Sequence, residues 1–248
     1  MNRIMVFVKA PVPGRVKTRL CPPLSPTQAA TLYIAFVKDT LEAARGVENS
    51  QADIFYDPSA DFPDLRWIES APLLPFFPQK GDDLGMRLDH AFNGTLSRGA
   101  GKAVAIGSDT PHIAPTAIER AFSLLERADV VLGPAADGGY YLIGLKEPHD
   151  FLFQEISWST VNVLRQTLER AKQRGLKVVM LPTLFDVDTI SDLRELVKLL
   201  TVNDAGASRF SRFPTECGGG ISSPYGSVTK LVPDELMGQG VFGDAVKC

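Results

Sequence analysis

"IMVFVKAPVPGRVKTRL" (Ile4–Leu20) joins an apolar run to a loop that holds two prolines, one glycine and four cations. The run Ile4–Val8 is rich in β-branched residues and predicts a buried strand. Ligands bind at the carboxyl ends of strands in open α/β sheets, so the loop lies where a binding site is expected. A solvated basic loop is the alternative, and the glycine spacing is not that of a P-loop. The residues suited to contact phosphate oxygens are Gly14, Arg15, Lys17 and Arg19.

Short β-branched runs alternate with stretches of helical period along the chain. This alternation predicts an α/β fold, with a Rossmann-like, mainly parallel sheet flanked by helices. The predicted strands are Ile4–Val8, Asp53–Tyr56, Leu73–Phe77, Ala103–Gly107, Asp129–Pro134, Tyr140–Leu145 and Lys177–Pro182. The predicted helices are one that begins near Ser25, then Asp82–Leu96, Thr116–Arg127, Val161–Arg174 and Thr189–Leu200. The segment Pro58–Pro78, rich in proline and aromatic residues, is expected to be mostly irregular.

The chain of 248 residues changes in composition near Thr201. Residues 1–201 carry the alternating pattern and predict one α/β domain of ordinary size. Residues 202–248 hold eight glycines, three of them consecutive, and no sustained period of either kind. We therefore expect a Gly-rich, poorly ordered tail and not a second domain.

Charge and cysteine content exclude several classes of protein. The net charge is −3, from 26 basic and 29 acidic residues, which argues against a nucleic-acid or anionic-membrane partner. No apolar run approaches the ~20 residues that span a bilayer, and the early prolines argue against a signal peptide. Cys21, Cys217 and Cys248 have no metal-type spacing, so we expect free thiols in a cytoplasmic protein.

Acidic turns follow two later predicted strands. The stretch AIGSDTP ends a buried strand near Asp109, and a carboxylate there is well placed to bind a hard divalent cation. In FDVDTISDL, Asp186 and Asp188 alternate on an extended segment, so both can point the same way and complete that metal site. The alternatives are local, since Asp109 can cap the turn at Thr110 and acids are common at helix starts. His112 is given no role.

A third acidic turn holds Asp137, in the stretch GPAADGGYYLIG. The two glycines after it permit unusual backbone angles and leave the carboxylate uncrowded, although an ordinary hairpin with an Asp-Gly turn explains the pattern nearly as well. Tyr140 and Tyr141 offer rings for a sugar or a base. In QKGDDLGMRL, Gln79 and Gly85 stand at a helix entrance, where an amide and exposed backbone can read the edge of a base.

Five motifs carry a resemblance to a known family. In chain order they are PVPGRVKTRL, GDDLGMRL, IGSDTP, LGPAADGGYYLIGL and DVDTISDL, and they span roughly residues 1–201. The sequence resembles the bacterial glycosyltransferase-A-like or nucleotide-diphospho-sugar transferase-like proteins, also described as radical-SAM/selenodomain-associated transferases and linked to arsenosugar biosynthesis. More distantly, it is similar to 2-phospho-L-lactate guanylyltransferase and to the molybdenum-cofactor nucleotidyltransferases.

The resemblance implies a glycosyltransferase-A fold, so that residues 1–201 are expected to form a nucleotide-diphospho-sugar transferase-like domain. It also assigns roles to particular residues. Asp109 stands where the superfamily holds its metal, and Asp188 falls in the segment that often supplies a second ligand. The predicted metal strand lacks the Asp-x-Asp of typical glycosyltransferases of this fold, and its lone aspartate, Asp109 after Ser108, is closer to the nucleotidyltransferase pattern. The residues that match the phosphate-binding loop and the base-recognising region are Lys17, Arg19, Gln79 and Gly85.

Two reactions fit these residues, and both need a nucleotide, Mg²⁺ or Mn²⁺, and a small-molecule acceptor. In glycosyl transfer, a metal on Asp109 holds the leaving diphosphate of a nucleotide sugar, Lys17 and Arg19 offset its charge, and Asp137 positions the acceptor. In guanylyl or cytidylyl transfer, a phosphorylated acceptor attacks the α-phosphate of a nucleoside triphosphate and pyrophosphate leaves. A nucleotide-binding module without catalysis is the third hypothesis. The length of the family match slightly favours glycosyl transfer.

Overall fold

The computed structural model describes residues 1–58 and 74–210, and seven strands in this part of the chain form one sheet. The strands are β1 (Asn2–Val8), β2 (Ser50–Tyr56), β3 (Phe76–Pro78), β4 (Lys102–Ile106), β5 (Val130–Pro134), β6 (Tyr140–Leu145) and β7 (Val178–Met180). The α-helices of the same residues are α1 (Pro26–Arg45), α2 (Leu84–Ser97), α3 (Pro115–Leu124), α4 (Val163–Gln173) and α5 (Ile190–Phe210).

The strand order across the sheet is β3-β2-β1-β4-β6-β5-β7. Only β6 pairs antiparallel among the described strands, with β4 on one side and β5 on the other. The parallel register places Val6 of β1 opposite Ile54 of β2 and Ile106 of β4. The prediction of a Rossmann-like, mainly parallel sheet flanked by helices is confirmed. Because the other strands run in one direction, their carboxyl ends share one edge of the sheet.

Apolar side chains cover both faces of the sheet. Alternate residues of β1 point to opposite faces, so Ile4 lies in the core beneath α1 and α3, whereas Met5 lies in the core beneath α2 and α4. A third apolar cluster packs α5 against α1. It fixes the end of the cationic loop and the segment before α5 beside each other, and its members include Leu20, Phe36, Val187 and Leu193.

The start of α1 follows the sequence closely. Gln28 N donates to Ser25 Oγ at 3.2 Å, and Ser25 N donates to Gln28 Oε1 at 2.8 Å, so both halves of a capping box are present. Pro26 occupies the first turn, where its missing N–H costs nothing. This cap ends the cationic loop at a defined residue and starts a helix that packs on the sheet.

The last helix is longer than predicted. It continues to Phe210, ten residues past the predicted end at Leu200. No proline lies between Ile190 and Phe210, and a single glycine is tolerated inside a helix, so composition was a poor guide to its end. The division of the chain at residue 201 stays a prediction. Residues 211–248 of the predicted tail, and 59–73 of the predicted irregular segment, lie outside the described residues. In the described ranges, no helix is long and apolar enough to cross a membrane.

Candidate functional site

The carboxyl edge of the sheet brings the cationic loop and the acidic turns together. The cationic loop leaves β1, Asp109 follows β4, and Asp188 lies between β7 and α5. Backbone hydrogen bonds hold the last two segments side by side, since Val187 N donates to Asp109 O at 2.9 Å. The prediction that these residues meet at strand ends therefore agrees with their placement. Their roles in binding and catalysis stay predictions.

Lys17 is the point on which the site converges. Its Nζ atom lies 2.5 Å from Asp109 Oδ1 and 2.9 Å from Asp188 Oδ1, so one ammonium bridges the two carboxylates. The Lys17 side chain is only 3% exposed, whereas the two carboxylates are about 40% exposed. The ammonium also lies 5.6 Å from the centre of the Phe36 ring. The cation is thus buried beneath acids that face the cleft.

The backbone at Lys17 is strained. Its φ of 48° and ψ of 37° are left-handed, a conformation that side chains other than glycine and asparagine rarely adopt. Strain of this kind costs on the order of 1 kcal/mol or more and concentrates at functional sites. The fold therefore holds this backbone in place to deliver one ammonium to two carboxylates.

The charges of the site stabilise one another. Burial alone would lower the pKa of Lys17, but Asp109 and Asp188 outweigh it and raise that pKa. Burial would raise the pKa of Asp109, and the ammonium of Lys17 outweighs it and holds that pKa below its usual range. Lys17 and Asp109 are therefore both charged at neutral pH and form an ion pair.

A cleft of about 230 Å³ opens over this ion pair. Arg19 contributes to its wall, with Nη1 3.6 Å from Asp188 Oδ2. Gly14 is exposed beside it, with a φ of 79° that suits glycine. The cleft therefore combines a cationic rim with two acids at its base. The residues that line it are Lys9, Arg15, Val16, Lys17, Thr18, Arg19, Tyr33, Asp109 and Asp188.

Tyr33 is a member of the site that the sequence did not reveal. Its hydroxyl accepts a hydrogen bond from Lys9 N at 2.8 Å and lies 2.9 Å from Ser108 Oγ. The buried phenol therefore ties the first residue of the cationic loop to the residue before Asp109. A tyrosine at a core position carries no sign in sequence of which polar groups its hydroxyl will reach.

Asp186 lies next to the bridged pair but is held differently. Thr110 Oγ1 donates a hydrogen bond to Asp186 Oδ1. Burial raises the pKa of Asp186 to about 6, and the charges of Asp109 and Asp137 add to the effect. The lysine bridge joins Asp109 and Asp188, and no ion pair within 4 Å joins it to Asp186 among the described contacts. Of the three predicted metal ligands, Asp109 and Asp188 therefore pair with Lys17, whereas Asp186 accepts a hydrogen bond from Thr110.

The turn that holds Asp137 is a hairpin turn between β5 and β6. Asp137 Oδ1 accepts from Gly139 N at 2.9 Å, the local bond expected of an Asp-Gly turn. Tyr141 is buried and donates to Pro182 O at 3.1 Å. Tyr140 packs edge-on against Trp158, and its hydroxyl is buried. The prediction that a sugar or a base packs on Tyr141 is wrong, because this ring belongs to the core on one face of the sheet. Tyr140 is partly buried against the core on the other face, and its contact with a ligand stays a prediction.

Gln79 and Gly85 have packing roles in the structure. Gln79 Nε2 donates to Phe55 O at 2.8 Å and to Val8 O at 3.3 Å, so the amide joins β2 to the end of β1. A Cβ atom on Gly85 would lie 2.5 Å from Phe153 O and 2.6 Å from Trp158 Nε1, so α2 needs glycine for close packing. Neither residue lines the cleft over Lys17. Base recognition by them stays a prediction.

The carboxylates of Asp109 and Asp188 suit a divalent cation, on the condition that Lys17 moves. Within the stretches the structure describes, no three Asp, Glu, His or Cys side chains form a metal-holding cluster. Mg²⁺ commonly uses only one or two carboxylates and completes its shell with water and substrate phosphates. Asp109 and Asp188 converge on one cation, as such a site requires. That cation is Lys17, so a metal shared by both acids requires the ammonium to move.

His112 gives the fold a pH dependence. Its ring packs against Phe185 at a tilt, with centroids 4.4 Å apart, and burial lowers the pKa of His112 from 6.5 to about 4. Between those values the unfolded chain binds a proton that the folded chain does not, so stability is lost as pH falls below 6.5. We expect His112 to remove about 2 kcal/mol of stability between pH 7 and pH 5.

Urea denaturation at both pH values measures this effect. His112→Leu should lack that share of the pH dependence, and His90→Gln, on exposed α2 surface, should retain it. Carboxyl groups titrate in the same range, so the comparison between proteins carries the result. An unchanged pH dependence in His112→Leu would contradict the assignment.

The fold is shared with proteins of solved structure. A candidate nucleotide-diphospho-sugar transferase from Desulfovibrio desulfuricans is 34% identical, with 95% of this chain and 96% of that chain covered and a TM-score of 0.79. A cytidylyltransferase from Leptospira borgpetersenii is 14% identical, with 87% and 99% covered and a TM-score of 0.51. A nucleotidyl transferase from Methanothermobacter is 16% identical, with 84% and 99% covered and a TM-score of 0.51. The last two show the fold alone.

These similarities define the class first: an α/β protein with the fold of nucleotide-sugar transferases and nucleotidyltransferases. The chain belongs to the same family as the Desulfovibrio protein, with which it shares 34% identity over 95% of its length. A family model described as an uncharacterized protein conserved in bacteria, DUF2064, matches residues 40–160. No curated protein matches the sequence.

Proposed function

We propose that this protein is a metal-dependent transferase that uses a nucleotide donor, and that it transfers a glycosyl group from a nucleotide-diphospho-sugar to a small acceptor. The observation that carries the proposal is the cleft at the carboxyl edge of the sheet, where cations face Asp109 and Asp188. A diphosphate leaving group needs positive charge as its bond to the sugar breaks. The similarity to the Desulfovibrio protein supports a sugar nucleotide as donor.

Each side chain of the cleft has a role in this reaction. Lys17 and Arg19 offset the charge that develops on the leaving diphosphate, with Gly14 and Arg15 giving further donors on the same loop. Tyr33 fixes the loop relative to Ser108 and so keeps the cations above Asp109. When bound by Asp109 and Asp188, with Asp186 beside them, Mg²⁺ or Mn²⁺ supplies additional neutralisation of the phosphates.

The acceptor lies on the Asp137 side of the cleft in this proposal. Asp137 is exposed, and its charge acts on Asp186, so the turn between β5 and β6 faces the acidic side of the site. From there its carboxylate can orient an acceptor hydroxyl toward the donor. We expect the base to bind near Gln79 and Gly85. The Gln79 amide is held by backbone carbonyls, so the surface and backbone of this region would recognise the base.

Nucleotidyl transfer is the second candidate, and one feature favours it. A lone Asp109 after Ser108, opposite a loop with four cations, suits a nucleoside triphosphate at least as well as a sugar diphosphate. In that reaction a phosphorylated acceptor attacks the α-phosphate, the bond to the β-phosphate breaks, and pyrophosphate leaves. Guanylyl or cytidylyl transfer is the form we would test. A non-catalytic nucleotide-binding module is disfavoured because every acid of the site is present.

A donor screen separates these functions. UDP- and GDP-sugars, CTP and GTP are each added with Mg²⁺ or Mn²⁺, and the melting temperature is measured. Stabilisation by a sugar nucleotide, with nucleoside diphosphate released on incubation with acceptors, supports glycosyl transfer. Stabilisation by a triphosphate alone, with pyrophosphate release, supports nucleotidyl transfer instead. If no nucleotide raises the melting temperature, the assignment of a nucleotide site is wrong.

A further inference from the structure

We propose that Lys17 is a displaceable internal cation: its ammonium occupies the metal position between Asp109 and Asp188, and it leaves that position when a divalent ion binds. The inference rests on the proposed function for its biological meaning, because nucleotide phosphates are what would receive the displaced ammonium. Metal and nucleotide are therefore expected to bind together, each weakly without the other.

The geometry of the bridge is the first argument. The Oδ1 atoms of Asp109 and Asp188 both point at Lys17 Nζ, at 2.5 and 2.9 Å. A metal that is shared by these two carboxylates must lie where their oxygens converge, which is the volume that the ammonium fills. A divalent ion and an ammonium a few ångströms apart in a half-buried site repel each other strongly. Two cations therefore compete for one position.

The surroundings of Lys17 are the second argument. The carboxylates are about 40% exposed while the ammonium is 3% exposed, so phosphates approach a face that presents acids. A donor phosphate needs both a metal to screen those acids and the lysine as a ligand. Replacement of the ammonium by a metal meets both needs, because the metal then binds the two carboxylates and the ammonium of Lys17 moves to the phosphates.

The loop that carries Lys17 has the properties such a movement needs. The left-handed backbone of Lys17 stores strain that a change of conformation can release. Gly14, three residues earlier, has a φ of 79° and no atom within 4 Å of where a Cβ would lie. The loop is thus strained at the lysine and uncrowded at the glycine. By linkage, whatever draws Lys17 away from the acids strengthens metal binding, and metal binding strengthens the attraction of Lys17 for phosphate by the same factor.

Mn²⁺ binding without nucleotide tests the competition directly. The EPR signal of unbound Mn²⁺ is titrated with wild type, Lys17→Met and Lys9→Met. Lys9 lines the same cleft and acts on Asp109 through charge but lies outside the bridge, so it is the matched control for loss of one positive charge. We expect Lys17→Met to bind Mn²⁺ at least about tenfold more tightly than wild type, and Lys9→Met to differ from wild type by less than about threefold. Equal affinity in Lys17→Met and wild type, or an equal gain in Lys9→Met, overturns the proposal.

A second measurement uses only the wild-type protein and so does not depend on how a variant folds. Acetic anhydride labels exposed amines, and mass spectrometry gives the extent at each lysine. In the absence of metal, Lys17 should be protected by its carboxylates; at saturating Mn²⁺ its labelling should rise several-fold relative to Lys9. If Mn²⁺ binds and the labelling of Lys17 stays the same or falls, the metal sits elsewhere and the proposal is wrong.

These tests fail independently of the proposed function. Neither uses a nucleotide, so exchange of Lys17 for Mn²⁺ can be observed even when no sugar nucleotide or triphosphate stabilises the protein. In that case the cation exchange stands and the donor class is wrong. When nucleotides bind with metal but Lys17→Met gains no Mn²⁺ affinity, the transferase function stands and the exchange is wrong.

Discussion

Asp109→Asn should reduce kcat/KM by about 100-fold or more and abolish metal-dependent stabilisation by nucleotide. Asn keeps the volume of the side chain and an oxygen that can accept from Lys17, but it removes the charge that a divalent cation requires. Because Asp188 still pairs with Lys17 and Asp109 is about 40% exposed, the free energy of unfolding should change by no more than about 1 kcal/mol. The expected variant is folded and inactive.

The measurement is a pair of titrations on the same preparation. The nucleotide that most raises the wild-type melting temperature is titrated with and without Mg²⁺ against Asp109→Asn, and urea denaturation checks the fold. Glu119→Gln, at an exposed acid on α3 outside the cleft, is the control for removal of one negative charge and should behave as wild type. Wild-type activity or an intact metal effect in Asp109→Asn would exclude a metal role for this carboxylate.

The sequence predicted the fold and the meeting of the cationic loop with two acidic segments because both depend on strand direction. Strands that alternate with helices run parallel, so Lys17 and Asp109 had to reach the same edge of the sheet. That argument needs no knowledge of side-chain conformation. The end of β1 at Val8 and the start of α1 after Ser25 are equally local properties of the sequence.

The contacts within the site could not be predicted in the same way. Nothing in a basic loop indicates that Lys17, and not Arg15 or Arg19, turns inward to bridge two carboxylates, because that choice depends on a left-handed backbone and a third apolar cluster. Tyr33 has helical spacing typical of a core residue, and its hydroxyl contacts come from tertiary packing.

The surroundings of two sets of predicted binding residues could not be foreseen from the sequence, for a common reason. Tyr140 and Tyr141 follow a glycine-rich turn, which suggests exposed rings, but both start a strand in the middle of the sheet and pack on opposite faces. The amide of Gln79 can read a base in principle, yet at a strand end it donates to two backbone carbonyls, those of Phe55 and Val8. The type of a side chain determines which ligands it can contact, and its burial decides whether a ligand can reach it.

Gly138→Ala should destabilise the fold by about 3 kcal/mol or more. Gly138 has a φ of 92°, which only glycine adopts without strain, and a Cβ there would lie 2.3 Å from Val161 O and 2.7 Å from Val161 Cα. The obstacle is backbone, so no side chain can turn aside. Leu164 N also donates to Gly138 O at 2.9 Å, so a shift of the turn weakens the start of α4. Urea denaturation measures the loss in the free energy of unfolding.

Gly175→Ala separates the two sources of this cost. Gly175 also has a positive φ, of 68°, but nothing lies within 4 Å of where its Cβ would be, so that variant carries backbone strain without a clash. We expect it to lose about 1 kcal/mol. The difference between the variants then measures the contact between the Asp137 turn and the segment before α4. If Gly138→Ala costs no more than Gly175→Ala, this contact does not hold the turn, and the backbone hydrogen bonds of the turn, such as Ala136 N to Leu184 O at 2.9 Å, would hold it instead.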